Sequence, residues 1–162
     1  MKNLTRLLLI LCLTLPFAAC KKQEAPKQEV KALTAPTNPE DRNAWNAYLT
    51  DVVGRNMEGI QNQPFVYTLP AETTPDFQGL YDRQLEKARN DVGRGIIAGN
   101  LLAYGGPSSA KMADIVVESF KDVPAGTMKG VKVLFIGKAE DNARVQAAVA
   151  PAGVDYTFIE AK

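Results

Sequence analysis

The chain has 162 residues, of which 46% are hydrophobic and 23% charged, and this composition is that of one ordinary globular domain. Its 19 basic and 18 acidic residues give a formal net charge of +1, which argues against a nucleic-acid-binding protein, because such proteins carry a clear basic excess on one surface. The chain has no histidine, which excludes a histidine general base, a histidine metal ligand and a Ser-His-Asp triad.

The amino-terminal residues have the pattern of a secretory signal. Lys2 and Arg6 precede an apolar run at residues 7–15, and small residues follow the run. The run is too short to span a bilayer stably. We therefore expect residues 1–19 to be a signal peptide. The two cysteines of the chain, Cys12 and Cys20, both lie in this region, so the folded domain contains neither a disulfide nor a thiol nucleophile.

The sequence Phe17-Ala18-Ala19-Cys20 resembles the lipobox of bacterial lipoproteins. The resemblance implies that Cys20 becomes the first residue after cleavage and carries fatty acyl chains such as palmitate, which attach the protein to a membrane. In lipoproteins of this kind, an aspartate directly after the cysteine directs retention in the inner membrane. In this chain the residue at that position is Lys21. The resemblance therefore implies an outer-membrane location facing the periplasm. The alternative is an ordinary secretory signal in which the cysteine is incidental.

Residues 20–38 are rich in Lys, Gln, Glu, Ala, Pro and Thr and have few apolar side chains to bury. This composition predicts a flexible tether, which would follow the lipidated Cys20 that the lipobox resemblance implies. Residues 39–162 are then predicted to form a single domain.

The domain is predicted to begin with a long helix. Asn38 is a cap residue, Pro39 suits the first helical position, and Glu40 and Asp41 suit the amino-terminal end of the helix dipole. Apolar residues then follow at spacings of three and four: Trp45, Tyr48, Leu49, Val52, Val53, Met57 and Ile60. This amphipathic face is expected to pack on a sheet, and an aromatic ligand platform built on Trp45 and Tyr48 is the alternative.

Four strands alternate with helices in the remainder of the chain. Apolar and β-branched runs predict strands at 63–69, 101–104, 131–136 and 154–159, the third central and the last at an edge. The helices between them predict a parallel sheet with right-handed crossovers. The predicted fold class is therefore α/β, a small open parallel sheet of about four strands with helices on both faces. The layout is Rossmann-like or flavodoxin-like, with strand order 2-1-3-4.

This strand order predicts a crevice between the first and third strands, because ligands bind beyond the carboxyl ends of parallel strands where the order reverses. The loops expected there carry polar or small residues, namely Glu72, Thr73, Thr74, Ser108, Ser109, Gly137, Lys138 and Glu140. Helix amino termini and Lys138 would favour a small anion at this place. In the alternative interpretation the same residues only cap helices and solvate loops.

Motifs for familiar chemistry are incomplete. The glycines at 93–99 have the wrong spacing for a dinucleotide-binding fingerprint, and Gly137-Lys138 lacks the earlier glycine of a phosphate loop. Residues 106–110 resemble a nucleophile elbow but end in alanine, and no histidine is present to activate Ser108. The acidic residues are dispersed, so no metal site and no cofactor is predicted.

Two classes of function follow from these observations. The first is a lipid-anchored, non-catalytic interaction module of the envelope, such as an immunity, inhibitor or accessory protein that binds an unidentified protein partner. The second is a small-anion or small-ligand binding protein, or a weak enzyme, that uses the predicted crevice. An open crevice would support a ligand, and a filled crevice would support a protein partner.

Overall fold

The computed structural model describes residues 33–162. The predicted signal peptide, Cys20 and most of the predicted tether lie outside the described residues. The helices are α1 (Arg42–Arg55), α2 (Phe77–Gly93), α3 (Ser109–Phe120) and α4 (Ala139–Val149), followed by a short 3-10 helix at Ala150–Ala152. The strands are β1 (Phe65–Thr68), β2 (Leu101–Gly105), β3 (Lys132–Gly137) and β4 (Asp155–Glu160).

The four strands form one open sheet in which every pair is parallel, and helices cover both of its faces. The predicted α/β fold class is therefore confirmed. β2 and β3 are buried on both faces because their side chains alternate between two apolar layers, as expected for central strands. β4 lies at an edge and its side chains are mostly half-buried, also as predicted.

The predicted strand order, 2-1-3-4, is wrong. The strands lie in the order β1-β2-β3-β4, so β1 pairs only with β2 and is not a neighbour of β3. Helices α2, α3 and α4 each connect one strand to the next strand in the sheet, always in the same direction. Because such crossovers share one handedness, the three helices lie on the same face of the sheet. The other face is covered by α1, which precedes the first strand, so no reversal is needed to cover both faces. The sheet therefore has no topological switch point.

Helix α1 begins three residues later than the sequence predicts. Asp41 is its cap, and the Asp41 carboxylate accepts a hydrogen bond from the Ala44 amide at 3.0 Å. Asn38 instead forms a turn outside the helix, and its carbonyl accepts a hydrogen bond from the Trp45 indole at 3.2 Å. Because the indole holds this carbonyl, residues 38–40 stay outside the helix. The helix also ends earlier than predicted, at Arg55, so Met57 and Ile60 lie beyond its carboxyl end but still pack against the same face of the sheet.

The apolar face of α1 packs on the sheet, as predicted. Trp45 is 8% exposed and Tyr48 3% exposed, and their rings meet edge to face. The aromatic pair therefore belongs to the core beneath α1 and does not form an open aromatic platform.

The last residues of the predicted tether contact the domain. The Leu33 amide donates a hydrogen bond to the Asp51 carboxylate at 3.1 Å, and the Ala35 amide donates one to the Lys162 carbonyl at 3.0 Å. Ala35 also packs against the apolar cluster between α1 and the sheet. Residues 33–35 therefore contact α1, the apolar cluster beneath it and the end of the chain.

Candidate functional site

Ser109 is the first residue of α3, and its side chain links the loop after β2 to the loop after β3. Its hydroxyl donates a hydrogen bond to Asp141 Oδ2 at 2.7 Å and accepts one from the Lys138 amide at 2.8 Å. Ser109 and Asp141 are each only 5% exposed. A Cβ on Gly137 would lie 2.5 Å from Ser109 Oγ, so glycine is what allows this close approach. The structure thus brings together Ser109, Gly137 and Lys138, which the sequence assigned to one crevice, although the predicted strand order had β1 between β2 and β3.

Arg144 completes this cluster from the second turn of α4. Its guanidinium donates to Asp141 Oδ1 through Nε at 3.1 Å and through Nη2 at 2.8 Å, and it also bonds the Asp114 carboxylate and the Ala110 carbonyl. Burial disfavours the charge, but the hydrogen bonds from Arg144 to Asp114 and Asp141 raise the pKa of Arg144 above its ordinary value. The space between the ends of β2 and β3 is therefore filled by a satisfied ionic network.

Asp141 and Arg144 were missed by the sequence prediction of the site. The signal that could have identified them is their spacing of three residues in the first turns of α4, which places both side chains on one face of the helix. Because spacing alone cannot show that Ser109 meets that face, the tertiary structure was required to find the cluster.

The hydroxyl-bearing residues predicted in the loops after β1 and β2 are engaged in hydrogen bonds within the domain. Ser108 is buried, and its hydroxyl donates to the Pro70 carbonyl at 2.7 Å. Thr73 donates to the Glu40 carboxylate at 3.0 Å, which links this loop to the turn before α1. Thr74 is half-buried, and its carbonyl accepts a hydrogen bond from the Phe77 amide at the start of α2. These contacts are those expected of residues that shape turns.

The charged residues of the predicted set remain in solvent. Lys138 and Glu140 lie 4.0 Å apart, with side chains 66% and 74% exposed. Glu72 is exposed in the loop after β1. An ion pair this exposed contributes little to stability. The Lys138 ammonium is therefore neither enclosed nor aimed at a buried cavity.

An arginine cavity of about 200 Å³ lies at the carboxyl end of β1, between the first turns of α1 and α2. Its residues are mostly apolar or cationic, and none is acidic: Pro39, Arg42, Trp45, Asn46, Thr68, Leu69, Pro70, Leu80, Arg83, Gln84 and Pro107. Arg83 lies 3.4 Å from the Asp76 carboxylate, and both of these side chains are exposed, so the contact holds the guanidinium only weakly. Arg42 and Arg83 are therefore the charged residues that line a mostly apolar cavity.

An apolar groove of about 410 Å³, the α1–β1 groove, runs from this cavity along β1. Its walls and floor carry no charged side chain: Asn46, Leu49, Thr50, Val53, Gly54, Met57, Pro64, Val66 and Thr68. Asn46 and Thr68 line both the groove and the arginine cavity, so the two are adjacent. Val66 on the floor is 41% exposed. The sequence prediction of the site included no residue of this groove.

A stacked tyrosine pair lies on the opposite face of the sheet. The rings of Tyr67 and Tyr104 are 4.6 Å apart, and the Tyr67 hydroxyl donates to Asp91 at 3.0 Å. Burial and the neighbouring Asp91 raise the pKa of Tyr67, and burial raises that of Tyr104. The Tyr104 hydroxyl is fully buried and has no hydrogen-bond partner among residues 33–162, which costs about 1–3 kcal/mol. The pair is part of the core between the sheet and α2.

No protein-family model, curated protein or solved structure matches the chain significantly. Between residues 33 and 162, no group of three or more His, Cys, Asp or Glu side chains is placed to hold a metal ion. In the same part of the chain, no helix has both the length and the apolar character needed to cross a membrane.

Proposed function

We propose that the protein is a lipid-anchored, non-catalytic interaction module of the bacterial cell envelope, held at the outer membrane and facing the periplasm. The observation that carries the proposal is the Ser109–Asp141–Arg144 network, which fills the space between the ends of the central strands. An α/β receptor or enzyme holds its ligand beyond the carboxyl ends of its strands. Here the domain fills the place beyond its two central strands with its own side chains. Among residues 33–162, the space that stays open at the carboxyl end of a strand is the arginine cavity of about 200 Å³ beside β1, so the outer surface of the domain is left for a partner.

The composition of the domain supports the same class. Histidine is absent from the chain and cysteine from residues 33–162, so a histidine general base and a cysteine nucleophile are missing. An immunity, inhibitor or envelope-accessory role needs neither. The alternative, a small-anion receptor built on Thr73, Ser108 and Lys138, has less support because both hydroxyls are engaged and the ammonium is exposed.

The anchor is tested by Cys20→Ser in cells supplied with an alkyne-labelled palmitate. We expect the wild-type chain to carry the label and to partition into detergent, and the variant to lose both properties, because acylation at the thiol is what supplies membrane affinity. Cys12→Ser is the matched control and should keep the label, since Cys12 lies in the predicted signal peptide. A wild-type chain without label would contradict the lipid anchor.

The interaction role is tested with the chain produced from residue 21, immobilised and exposed to envelope extract. We expect wild type and Lys138→Ala to retain the same specific proteins in the same amounts, because the Lys138 side chain is exposed and its ammonium makes only a loose, exposed ion pair with Glu140. Mass spectrometry identifies the retained proteins, and calorimetry measures phosphate binding. Phosphate binding by wild type that Lys138→Ala abolishes, without retained protein, would instead establish the receptor function.

A further inference from the structure

A cavity of about 440 Å³, the α2–α3 cavity, lies between the carboxyl ends of α2 and α3, at the end of the sheet opposite to the predicted crevice. Its floor reaches the core, since Val92 and Met128 line it and are only 4% and 2% exposed. Val123, which is half-buried, and Pro124 also line it. Small-ligand sites have volumes of about 300–1,000 Å³. The cavity therefore has room for a small ligand with an apolar part.

Two pairs of oppositely charged residues line this cavity, one pair after the other along the two helices. Arg89 of α2 forms an ion pair with Glu118 of α3. Arg94 and Asp122 come five and four residues later in the chain, just beyond the ends of the same helices. Among residues 33–162, the side chains of Arg94 and Asp122 form no ion pair or hydrogen bond, either with each other or with another group. The first pair is closed and the second is open.

Arg94 has one acid near it on its own helix, Asp91. Burial raises the pKa of Asp91, but the hydrogen bonds from Lys87 and Tyr67 and the charges of Lys87 and Arg94 lower it below its ordinary value. The Asp91 carboxylate accepts these bonds at 2.8 Å from Lys87 and at 3.0 Å from Tyr67. Because Asp91 is already paired, the guanidinium of Arg94 is able to pair with a ligand.

The spacing of the helices indicates what would close the open pair. The axes of packed helices lie about 8–10 Å apart, so a small molecule fits between groups that follow their ends. The carboxyl ends of both helices carry partial negative charge, which adds to that of Asp122 and favours an ammonium group beside it. Arg94 favours a carboxylate, with which a guanidinium forms two parallel hydrogen bonds. A ligand with an ammonium, a carboxylate and an apolar part is complementary to the cavity.

We propose that the α2–α3 cavity binds a small apolar zwitterion of the α-amino acid class. Its carboxylate pairs with Arg94, its ammonium pairs with Asp122, and its apolar side chain lies against Val92 and Met128. A free amino acid and a short peptide with free ends share this chemistry. The site goes beyond the proposed interaction function, because it takes a small molecule at the end of the sheet away from the filled space at Ser109.

The test measures the binding of leucine and of leucyl-leucine to the chain produced from residue 21, by calorimetry and by NMR shifts of amides 93–95 and 122–128. The tighter of the two identifies the source of the zwitterion. N-acetylation and carboxyl amidation each remove one charge of the ligand. Each should weaken binding at least about five-fold, because a charged hydrogen-bonded contact is lost. Glycine should bind at least about five-fold more weakly than leucine, because it buries no apolar side chain.

Two variants assign the charges of the ligand to residues of the cavity. Arg94→Gln should weaken leucine about five-fold and leave leucinamide unchanged, because leucinamide has no carboxylate to lose a partner. Asp122→Asn should weaken leucine and leave N-acetyl-leucine unchanged, for the corresponding reason at the ammonium. Lys121→Gln is the matched control and should bind leucine like wild type, since Lys121 is exposed and adjoins Asp122 but does not line the cavity. Circular dichroism establishes that each variant is folded.

The inference is overturned if neither leucine nor leucyl-leucine binds at millimolar concentration, or if the blocked ligands bind as tightly as the free ones. Equal weakening of leucine and leucinamide by Arg94→Gln would also overturn it, because the effect would then be structural. Envelope proteins retained by a chain that binds neither ligand would leave the interaction function standing without this site. Binding of leucine by a chain that retains no protein would support the site and contradict the interaction function.

Discussion

Asp141→Ala is expected to lower the free energy of unfolding by about 3 kcal/mol, because it removes one partner of a buried charged network. The substitution leaves the Ser109 hydroxyl without its acceptor and leaves Arg144 with the Asp114 carboxylate and a backbone carbonyl. The loss stays in the lower part of the range for buried ion pairs because the Arg144 side chain is 39% exposed and water can solvate it. Urea denaturation followed by circular dichroism measures the change.

Asp114→Ala is the matched control, since the Asp114 carboxylate bonds the same guanidinium from a side chain that is 38% exposed. We expect it to cost less than about 1 kcal/mol, as is usual for exposed ion pairs. Equal losses for the two variants would mean that the network is not buried in solution. The space at the ends of β2 and β3 would then be open to a ligand, and the proposed function would lose its main support.

Gly106→Ala is expected to destabilise the domain by about 3 kcal/mol, through backbone strain and a steric clash. Gly106 lies between β2 and α3 with a φ of 148°, and a Cβ there would lie 2.5 Å from the Leu69 carbonyl oxygen. The turn must shift to relieve this clash, and the shift would pull Ser108 away from the Pro70 carbonyl. Thermal and urea denaturation of the variant measure the loss.

Gly93→Ala provides the control for this glycine. Gly93 is the last residue of α2, and a Cβ there would meet no atom within 4 Å. Alanine has the higher helix propensity, so we expect a gain of about 0.5 kcal/mol. A Gly106→Ala variant as stable as Gly93→Ala would show that the turn between β2 and α3 accommodates a side chain.

Local patterns in the sequence were sufficient for the elements and the fold class. Apolar runs placed all four strands, and residues spaced by three and four placed the helices, because these periods report which face of one element is buried. The start of α1 was predicted three residues early. Asn38 and Asp41 are both good cap residues, and the choice between them depends on the bond from Trp45 to the Asn38 carbonyl.

The predicted site also combines features that the sequence indicates with features that depend on tertiary contacts. Ser109 and Lys138 meet because β2 and β3 are parallel neighbours, which makes their following loops adjacent even though the predicted strand order was wrong. The partners that occupy that place, Asp141 and Arg144, are on α4, and their role depends on how that helix packs against α3. The arginine cavity and the α1–β1 groove join residues from separate elements, so no single stretch of sequence indicates them.

The sequence by itself determined the strands, the helices, their alternation and the parallel α/β class, since each depends on the periodicity of neighbouring residues. Only the tertiary structure decided the strand order, the filled space at Ser109 and Asp141, and the uncovered face of β1 beside Val66. The physical reason is that these features depend on which faces of distant elements pack together. Which faces pack together depends on how the whole core is buried, and each short segment contributes only one face to that core.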